Sequence, residues 1–140
     1  MDAPWIDAGG IAVLDAICDG WGYGTSNLDY TYNGLPTYSW SVNVVTHELG
    51  HNLGSPHTHS CSWPSGPIDT CFTVEGNCFN GPDSARVGTI MSYCHINGGV
   101  NLNLGFGPLP SALIQNNINS AWCLQQQITD PSSITPTGGT

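Results

Sequence analysis

"HELGHNLGSPH" occupies residues 47–57 and holds three of the five histidines in the 140-residue chain. His47 and His51 are four residues apart, so on a helix they project from one face, one turn apart. Gly54 suits the left-handed position that ends a helix, and Pro56 prevents the helix from continuing. The chain can then turn back and present His57 from another direction. This spacing predicts a zinc site with three histidine ligands and an open fourth position for water.

The segment around this motif has helical periodicity. Apolar residues recur at steps of three and four, namely Val42, Val45, Leu49 and Leu53. Such a stripe is typical of an amphipathic helix, which we predict from Trp40 to Leu53. Ser39 or Ser41 is a candidate for its N-terminal cap.

The residue between the first two histidines suggests the chemistry. With His47 and His51 on the metal, Glu48 cannot reach the metal but can reach its water. Zinc lowers the pKa of bound water to near 7 and polarises a substrate carbonyl. Glu48 would accept the proton as water attacks and pass it to the leaving amine. The motif therefore predicts a zinc-dependent endopeptidase that hydrolyses peptide bonds in proteins through a metal-activated water, with Glu48 as general base.

Composition excludes several other functions. Charged residues make up only 8% of the chain, the formal net charge is -9, and Arg86 is the only lysine or arginine. Phosphate binding needs basic residues, so nucleic acid is excluded as a partner, and anionic membrane surfaces are disfavoured. No apolar run approaches the roughly 18 residues of a membrane span. The expected partner is a protein or peptide substrate.

Six cysteines in a short chain indicate disulfides and an oxidising compartment. No C-x-x-C pair occurs, which makes a zinc–cysteine site a weaker interpretation. The first residues, "MDAPWIDAGG", contain acids where a signal peptide has basic residues, and they lack an apolar region. We therefore expect a secreted protein whose export signal belongs to a longer precursor.

The rest of the chain divides into short elements and long loops. Gly9–Cys18 is apolar and predicts a buried strand, and the Gly- and Asn-rich residues after it predict turns with a second short strand. Residues 55–107 read mostly as loop, which disulfides and a metal could fix. A second helix is predicted over residues 110–124, with Leu113, Ile114, Ile118 and Trp122 on one face. The predicted fold class is α/β.

Two stretches resemble a known family. "HELGHNLGSPH" resembles the long zinc motif of the metzincin metallopeptidases, and "GTIMSYC" (residues 88–94) resembles their methionine turn, with Met91 under the metal. "VVTHELGHNLGSPH" and "TIMSYC" are most similar to reprolysin-like (adamalysin-type) enzymes, over about Gly9 to Cys123. The resemblance implies a zincin-like fold, with the zinc helix packed on a small sheet and a loop-rich C-terminal subdomain that has one terminal helix. It also implies that Gly9–Cys18 is the edge strand that binds substrate as an added β-strand.

The chain departs from this family in three ways. Many reprolysins have Asp after the third histidine, where this chain has Thr58. Tyr93, two residues after the methionine, is more like astacins, serralysins and pappalysins. In astacins and serralysins that tyrosine can bind zinc or stabilise the oxyanion, so Tyr93 is a second candidate catalytic residue, with core packing as the alternative.

The third departure is length, since only 46 residues precede His47. We therefore expect residues 1–123 to be a partial catalytic domain from a longer precursor, and residues 124–140 to be a Pro/Thr/Ser-rich tail or linker. Without the family's neighbouring strand, the chain alone is expected to be marginally stable or to associate.

The remaining cysteines, histidines and acids carry weaker signals. The family resemblance implies a Cys18–Cys123 disulfide, and among the fifteen possible pairings we prefer Cys61–Cys94 and Cys71–Cys78 for the rest. His59 and His95 are not expected to be ligands, and the spacing of Asp15, Asp19 and Asp29 does not match a calcium loop. The alternative functions are a truncated zinc-binding fragment without activity and a binding module that keeps zinc for stability. Glu48 argues against the binding module, because a structural site needs no base.

Overall fold

A computed structural model of the chain describes residues 9–84 and 86–125. Strands β1 (Gly10–Ala12) and β2 (Gly24–Ser26) pair antiparallel, with Gly10 opposite Ser26 and Ala12 opposite Gly24. Both strands contact helix α1 (Trp40–Asn52), which carries the first two histidines of the motif. The mixed α/β class, with the helix on a small sheet, is as predicted.

Helix α1 matches its predicted span but not its predicted apolar face. Its buried residues are Asn43, Val44, His47, Glu48 and Gly50. Val45 and Leu49, which belong to the predicted stripe, are 41% and 54% exposed. The inward face carries the site residues, and of these His47 bonds to the backbone carbonyl of Ile90.

The N-terminal end of α1 has no side-chain cap, whereas the C-terminal end is followed by the expected glycine. Ser39 occupies the N-cap position, but its hydroxyl bonds to the backbone of Asn33 and makes no cap hydrogen bond. Ser41 also does not cap, since its hydroxyl bonds to Asp29. At the C-terminal end Gly54 has φ +96°, as its position in the sequence predicted.

The segment Gly9–Cys18 forms a much shorter strand than predicted, and the strand is not buried. Ile11 and Leu14 are 50% and 52% exposed. After Ala12 the chain turns toward the end of α1, where the Asp15 N–H donates to the His51 carbonyl at 2.9 Å. Ala16 and Ile17 donate to the Asn52 carbonyl. The last carbonyls of a helix lack intrahelical donors, so pairing with them competes with continuation of the strand.

The C-terminal part is mostly loop, as predicted, with short 3₁₀ turns at Cys94–Ile96 and Leu102–Leu104. The predicted terminal helix is divided into α2 (Pro108–Ser120) and α3 (Trp122–Gln125), with the break at Ala121. Ile114 is buried as expected, but Trp122 is 64% exposed because it lies beyond that break.

The disulfide prediction is correct for one bond and wrong for two. Cys18–Cys123 is present and ties the segment after β1 to α3. The other bonds are Cys61–Cys78 and Cys71–Cys94, in place of the predicted Cys61–Cys94 and Cys71–Cys78. Cys71 and Cys94 are both buried and form a small core with Val100, against which Tyr38 and Leu102 pack. Cys71 therefore lies beside Cys94, in the segment after Met91, and bonds to it. Cys61 pairs instead with Cys78 and closes a local loop.

The proposed tail, residues 124–140, lies almost wholly outside the described residues, as do residues 1–8. The helices that the structure describes are too short, or too polar, to cross a membrane.

Candidate metal centre

The structure brings the three histidines of the opening motif together. Three ring nitrogens, one each from His47, His51 and His57, lie within 4.8 Å of one another. His47 and His51 extend from α1. The chain then turns at Gly54, where the Ser55 N–H donates to the Gly50 carbonyl at 2.9 Å, and this turn returns His57 to the helix.

Each of these imidazoles has its Nδ1 atom engaged by an oxygen acceptor. His47 Nδ1 lies 2.7 Å from the Ile90 carbonyl, and His51 Nδ1 lies 2.8 Å from the Ser55 carbonyl. His57 Nδ1 lies 2.6 Å from Oε1 of Glu75. A ring nitrogen beside such an acceptor carries the proton, and the tautomer follows from these partners. All three Nε2 atoms are then left with lone pairs, as metal binding requires.

The spacing of these lone pairs fits a cation. His51 Nε2 and His57 Nε2 are 3.1 Å apart. Two nitrogens bound to one tetrahedral zinc at about 2.0–2.1 Å are separated by about 3.3–3.4 Å. With both Nδ1 atoms protonated, no proton lies between the Nε2 atoms, so their lone pairs repel unless a cation separates them. The donor set therefore suits a metal ion such as zinc.

Burial favours the neutral form of the two histidines on α1. Desolvation, more than any other cause, lowers the pKa of His47 to about 3 and also lowers the pKa of His51. A neutral imidazole is the form that binds a metal.

Met91 packs against the helix that carries His47 and His51. Its side chain is fully buried against α1, where a Cβ added to Gly50 would lie 2.5 Å from the Met91 Sδ atom. The preceding residue, Ile90, supplies the acceptor for His47, and the Met91 carbonyl accepts the N–H of Thr58 at 3.1 Å. The segment around Met91 therefore supports both α1 and the turn that carries His57.

Glu48 is buried, 7% exposed, beside the metal centre. Together with His47, Tyr93, His95 and Trp40 it lines a cavity of about 260 Å³. Its carboxylate lies over Gly10 of β1, where a Cβ would clash with it. Burial raises the pKa of Glu48 to about 7, and a cation bound by the neighbouring histidines would act in the opposite direction.

Tyr93 lies among the aromatic rings of the site. Its ring centroid is 4.6 Å from that of His57 and 5.9 Å from that of His47. Burial raises the pKa of its hydroxyl, which therefore stays protonated as a donor. The ring also packs on His59 and Phe72, so the packing role holds whether or not the hydroxyl takes part in chemistry.

Two contributors to the site were missed by the sequence interpretation. Glu75 follows His57 by 18 residues in a loop, where no motif marks it. His59 was not expected to be a ligand; it is fully buried and stacks on His57 with centroids 4.9 Å apart. His57 and His59 are two residues apart in the sequence, but this spacing alone does not indicate that their rings stack.

Helix-borne histidines four residues apart, a third histidine from the following turn and a buried glutamate define a metallopeptidase type of centre. A family model, the reprolysin model of metallo-peptidase family M12, matches residues 5–103, which is more than half of the chain. The chain belongs to this family. Comparison with curated proteins and with solved structures found no match.

Proposed function

We propose that the chain is a zinc-dependent endopeptidase that acts on proteins or peptides. The observation that carries this proposal is the pairing of the three-imidazole cluster with a buried carboxylate, since Glu48 and His47 line the same cavity. A site that only stabilised the fold would have no use for a carboxylate held out of water at its side.

His47, His51 and His57 are the proposed ligands, each through Nε2. Zinc bound there would supply Lewis acidity, which lowers the pKa of water toward 7 and polarises a peptide carbonyl. The protein's contribution is to fix the three rings through their Nδ1 bonds to Ile90, Ser55 and Glu75.

Glu48 is the proposed general base and, afterwards, the general acid. Its carboxylate takes a proton from the attacking water and delivers it to the leaving amine. Tyr93 is the proposed second catalytic residue, whose hydroxyl donates a hydrogen bond to the oxygen that becomes negative during attack.

Substrate binding is proposed along β1. Among the described residues β1 pairs only with β2, so its other edge is free to accept an extended peptide. Gly9 and Gly10 line the same cavity as Glu48, which would bring a strand added at this edge close to the base. The three disulfides also favour a secreted enzyme.

A casein assay tests this function directly. The zinc-loaded 140-residue chain should cleave casein, lose activity when a chelator removes the metal, and regain it when zinc is restored. Glu48→Gln should keep one zinc per chain and lose activity by up to about 10⁴-fold, at the upper end for a general base because the same group also returns the proton.

The same assay separates the alternatives. A zinc-loaded chain that never cleaves casein or gelatin would fit a zinc-binding fragment or a binding module. Full activity in Glu48→Gln at normal zinc content would contradict the proposed role of Glu48.

A further inference from the structure

His57 is held differently from the other two histidines of the site. His47 and His51 bond to backbone carbonyls, which are neutral acceptors. His57 Nδ1 instead bonds to a carboxylate oxygen, Oε1 of Glu75, at 2.6 Å. A charged acceptor makes a shorter and stronger hydrogen bond than a neutral one.

The loop that carries Glu75 is anchored to the segment that follows His57. The Glu75 N–H donates to the His59 carbonyl at 3.1 Å, and the Cys61 N–H donates to the Glu75 carbonyl at 2.8 Å. The Cys61–Cys78 disulfide closes the same loop. Glu75 is therefore fixed by its own backbone, although its side chain is 48% exposed.

The same carboxylate oxygen approaches a second imidazole. His59 Nε2 lies 3.6 Å from Glu75 Oε1, and the His59 ring stacks on His57 with an angle of 8° between the planes. Tyr93 lies on His57 as well, with its centroid 4.6 Å away. The rings of His59 and Tyr93 thus restrict the tilt of the His57 ring, while the bond to Glu75 fixes the direction in which Nδ1 points.

We propose that Glu75 is the positioning residue of the metal centre. By accepting the Nδ1–H of His57, it holds that imidazole in the tautomer and orientation that turn Nε2 toward His47 and His51. This inference rests on the proposed zinc site and deepens it. Of the three ring-holding bonds, it is the only one made by a side chain, so it is the one that substitution can remove without altering the backbone.

The test is zinc affinity of the full 140-residue chain, measured by competition with a chelator at fixed pH. Glu75→Ala should weaken zinc binding by about 10- to 100-fold, the range for loss of a carboxylate behind a ligand histidine. Glu75→Gln should lose less, because its amide oxygen can still accept a hydrogen bond from His57 Nδ1–H. Asp83→Asn is the matched control: it removes the same charge from an exposed carboxylate whose field also reaches His59.

A second measurement separates positioning from simple loss of charge. Nitrogen-15 NMR of the metal-free chain reports which ring nitrogen of His57 carries the proton. The wild-type protein and Asp83→Asn should show His57 protonated on Nδ1, whereas Glu75→Ala should shift toward Nε2, which a free imidazole side chain prefers. Because Glu75 is half exposed, its substitution opens no core, and circular dichroism with mapping of Cys61–Cys78 checks the fold.

Several results would overturn the proposal. Zinc affinity of Glu75→Ala equal to that of Asp83→Asn would do so, as would weakened binding with the His57 tautomer unchanged. Two zinc ions per chain, with the second lost in Glu75→Ala and in His59→Ala, would make Glu75 a ligand instead. If His57→Ala binds zinc as tightly as the wild type, the zinc site itself is wrong, which is a separate failure.

Discussion

At the residue scale, the site depends on histidines that are buried yet kept neutral and oriented. Burial lowers the pKa of His47 because the imidazolium form would lose its hydration. The Ile90 carbonyl then fixes the tautomer of His47, and the Ser55 carbonyl does the same for His51. The clustering of the three histidines could be predicted from their spacing. The carbonyls that bond to them could not, since every residue has a carbonyl and only the fold selects which is used.

Tyr93 offers a test at this scale, because its ring and its hydroxyl have separable roles. Tyr93→Phe keeps the contacts with His57 and His59 and deletes only the donor. If the hydroxyl stabilises the developing oxyanion, turnover of casein should fall by roughly 10- to 10³-fold, as for loss of one oxyanion donor. Zinc content should be unchanged.

Tyr23→Phe is the control for this substitution, since Tyr23 is 57% exposed on the protein surface and should tolerate the change without loss of turnover. Equal turnover in wild-type protein and Tyr93→Phe would leave Tyr93 with packing as its role.

At the element scale, helix α1 is held close to the segment of Met91 by a glycine. Gly50 lies in the last turn of α1, and glycine within a helix costs about 1 kcal/mol relative to alanine. The contact explains its presence: an added Cβ would lie 2.5 Å from Met91 Sδ and 2.8 Å from Phe106 Cε1. Met91 is fully buried, so it has little room to move away.

Gly50→Ala should therefore destabilise the protein despite the better helix former. Overpacking costs typically 1–3 kcal/mol, and after the gain of about 1 kcal/mol in propensity a net loss of up to about 2 kcal/mol is expected. Urea unfolding at fixed free zinc measures it. Gly20→Ala is the control, since a Cβ there meets nothing within 4 Å and stability should stay within about 0.5 kcal/mol of the wild type. A Gly50→Ala protein more stable than the wild type would show that Met91 and Phe106 yield without cost.

Particular elements also show what the sequence could and could not predict. The span of α1 followed from its periodicity and from Gly54, because these signals are local. Its inward face did not, since the apolar stripe that includes Val45 and Leu49 lies outward, while the site residues occupy the interior. The length of β1 was overestimated because the N–H groups of Asp15 and Ala16 bond to the end of α1, a contact distant in sequence.

At the scale of the whole molecule, disulfides replace a large core. The described residues form a small buried cluster around Cys71, Cys94 and Val100, while Cys18–Cys123 joins segments 105 residues apart. Two of the pairings could not be predicted, because cysteine spacing does not determine connectivity and the deciding contact, burial of Cys71 against Cys94, is tertiary. The link that family resemblance implied was the one predicted correctly.

The same small core leaves many large apolar side chains in water. Val45 and Leu49 lie four residues apart on α1 and are 41% and 54% exposed, while Ile11 of β1 is 50% exposed. Each strand of the two-stranded sheet also has one edge unpaired among the described residues. Exposed apolar surface and free strand edges both promote association between chains.

We therefore expect the zinc-loaded 140-residue chain to associate as its concentration rises, which sedimentation equilibrium measures as an increasing mean mass. Replacing Val45 and Leu49 together with Gln removes apolar surface from α1 while keeping a residue that favours the helix, and should reduce association at unchanged zinc content. Leu109→Gln removes a side chain that is 48% exposed on α2, remote in sequence from this surface, and should leave association as it was. A wild-type chain that stays monomeric to the limit of its solubility would show that the exposed apolar face of α1 does not drive association. If Leu109→Gln reduces association as strongly as the double variant does, the interface does not lie specifically on α1.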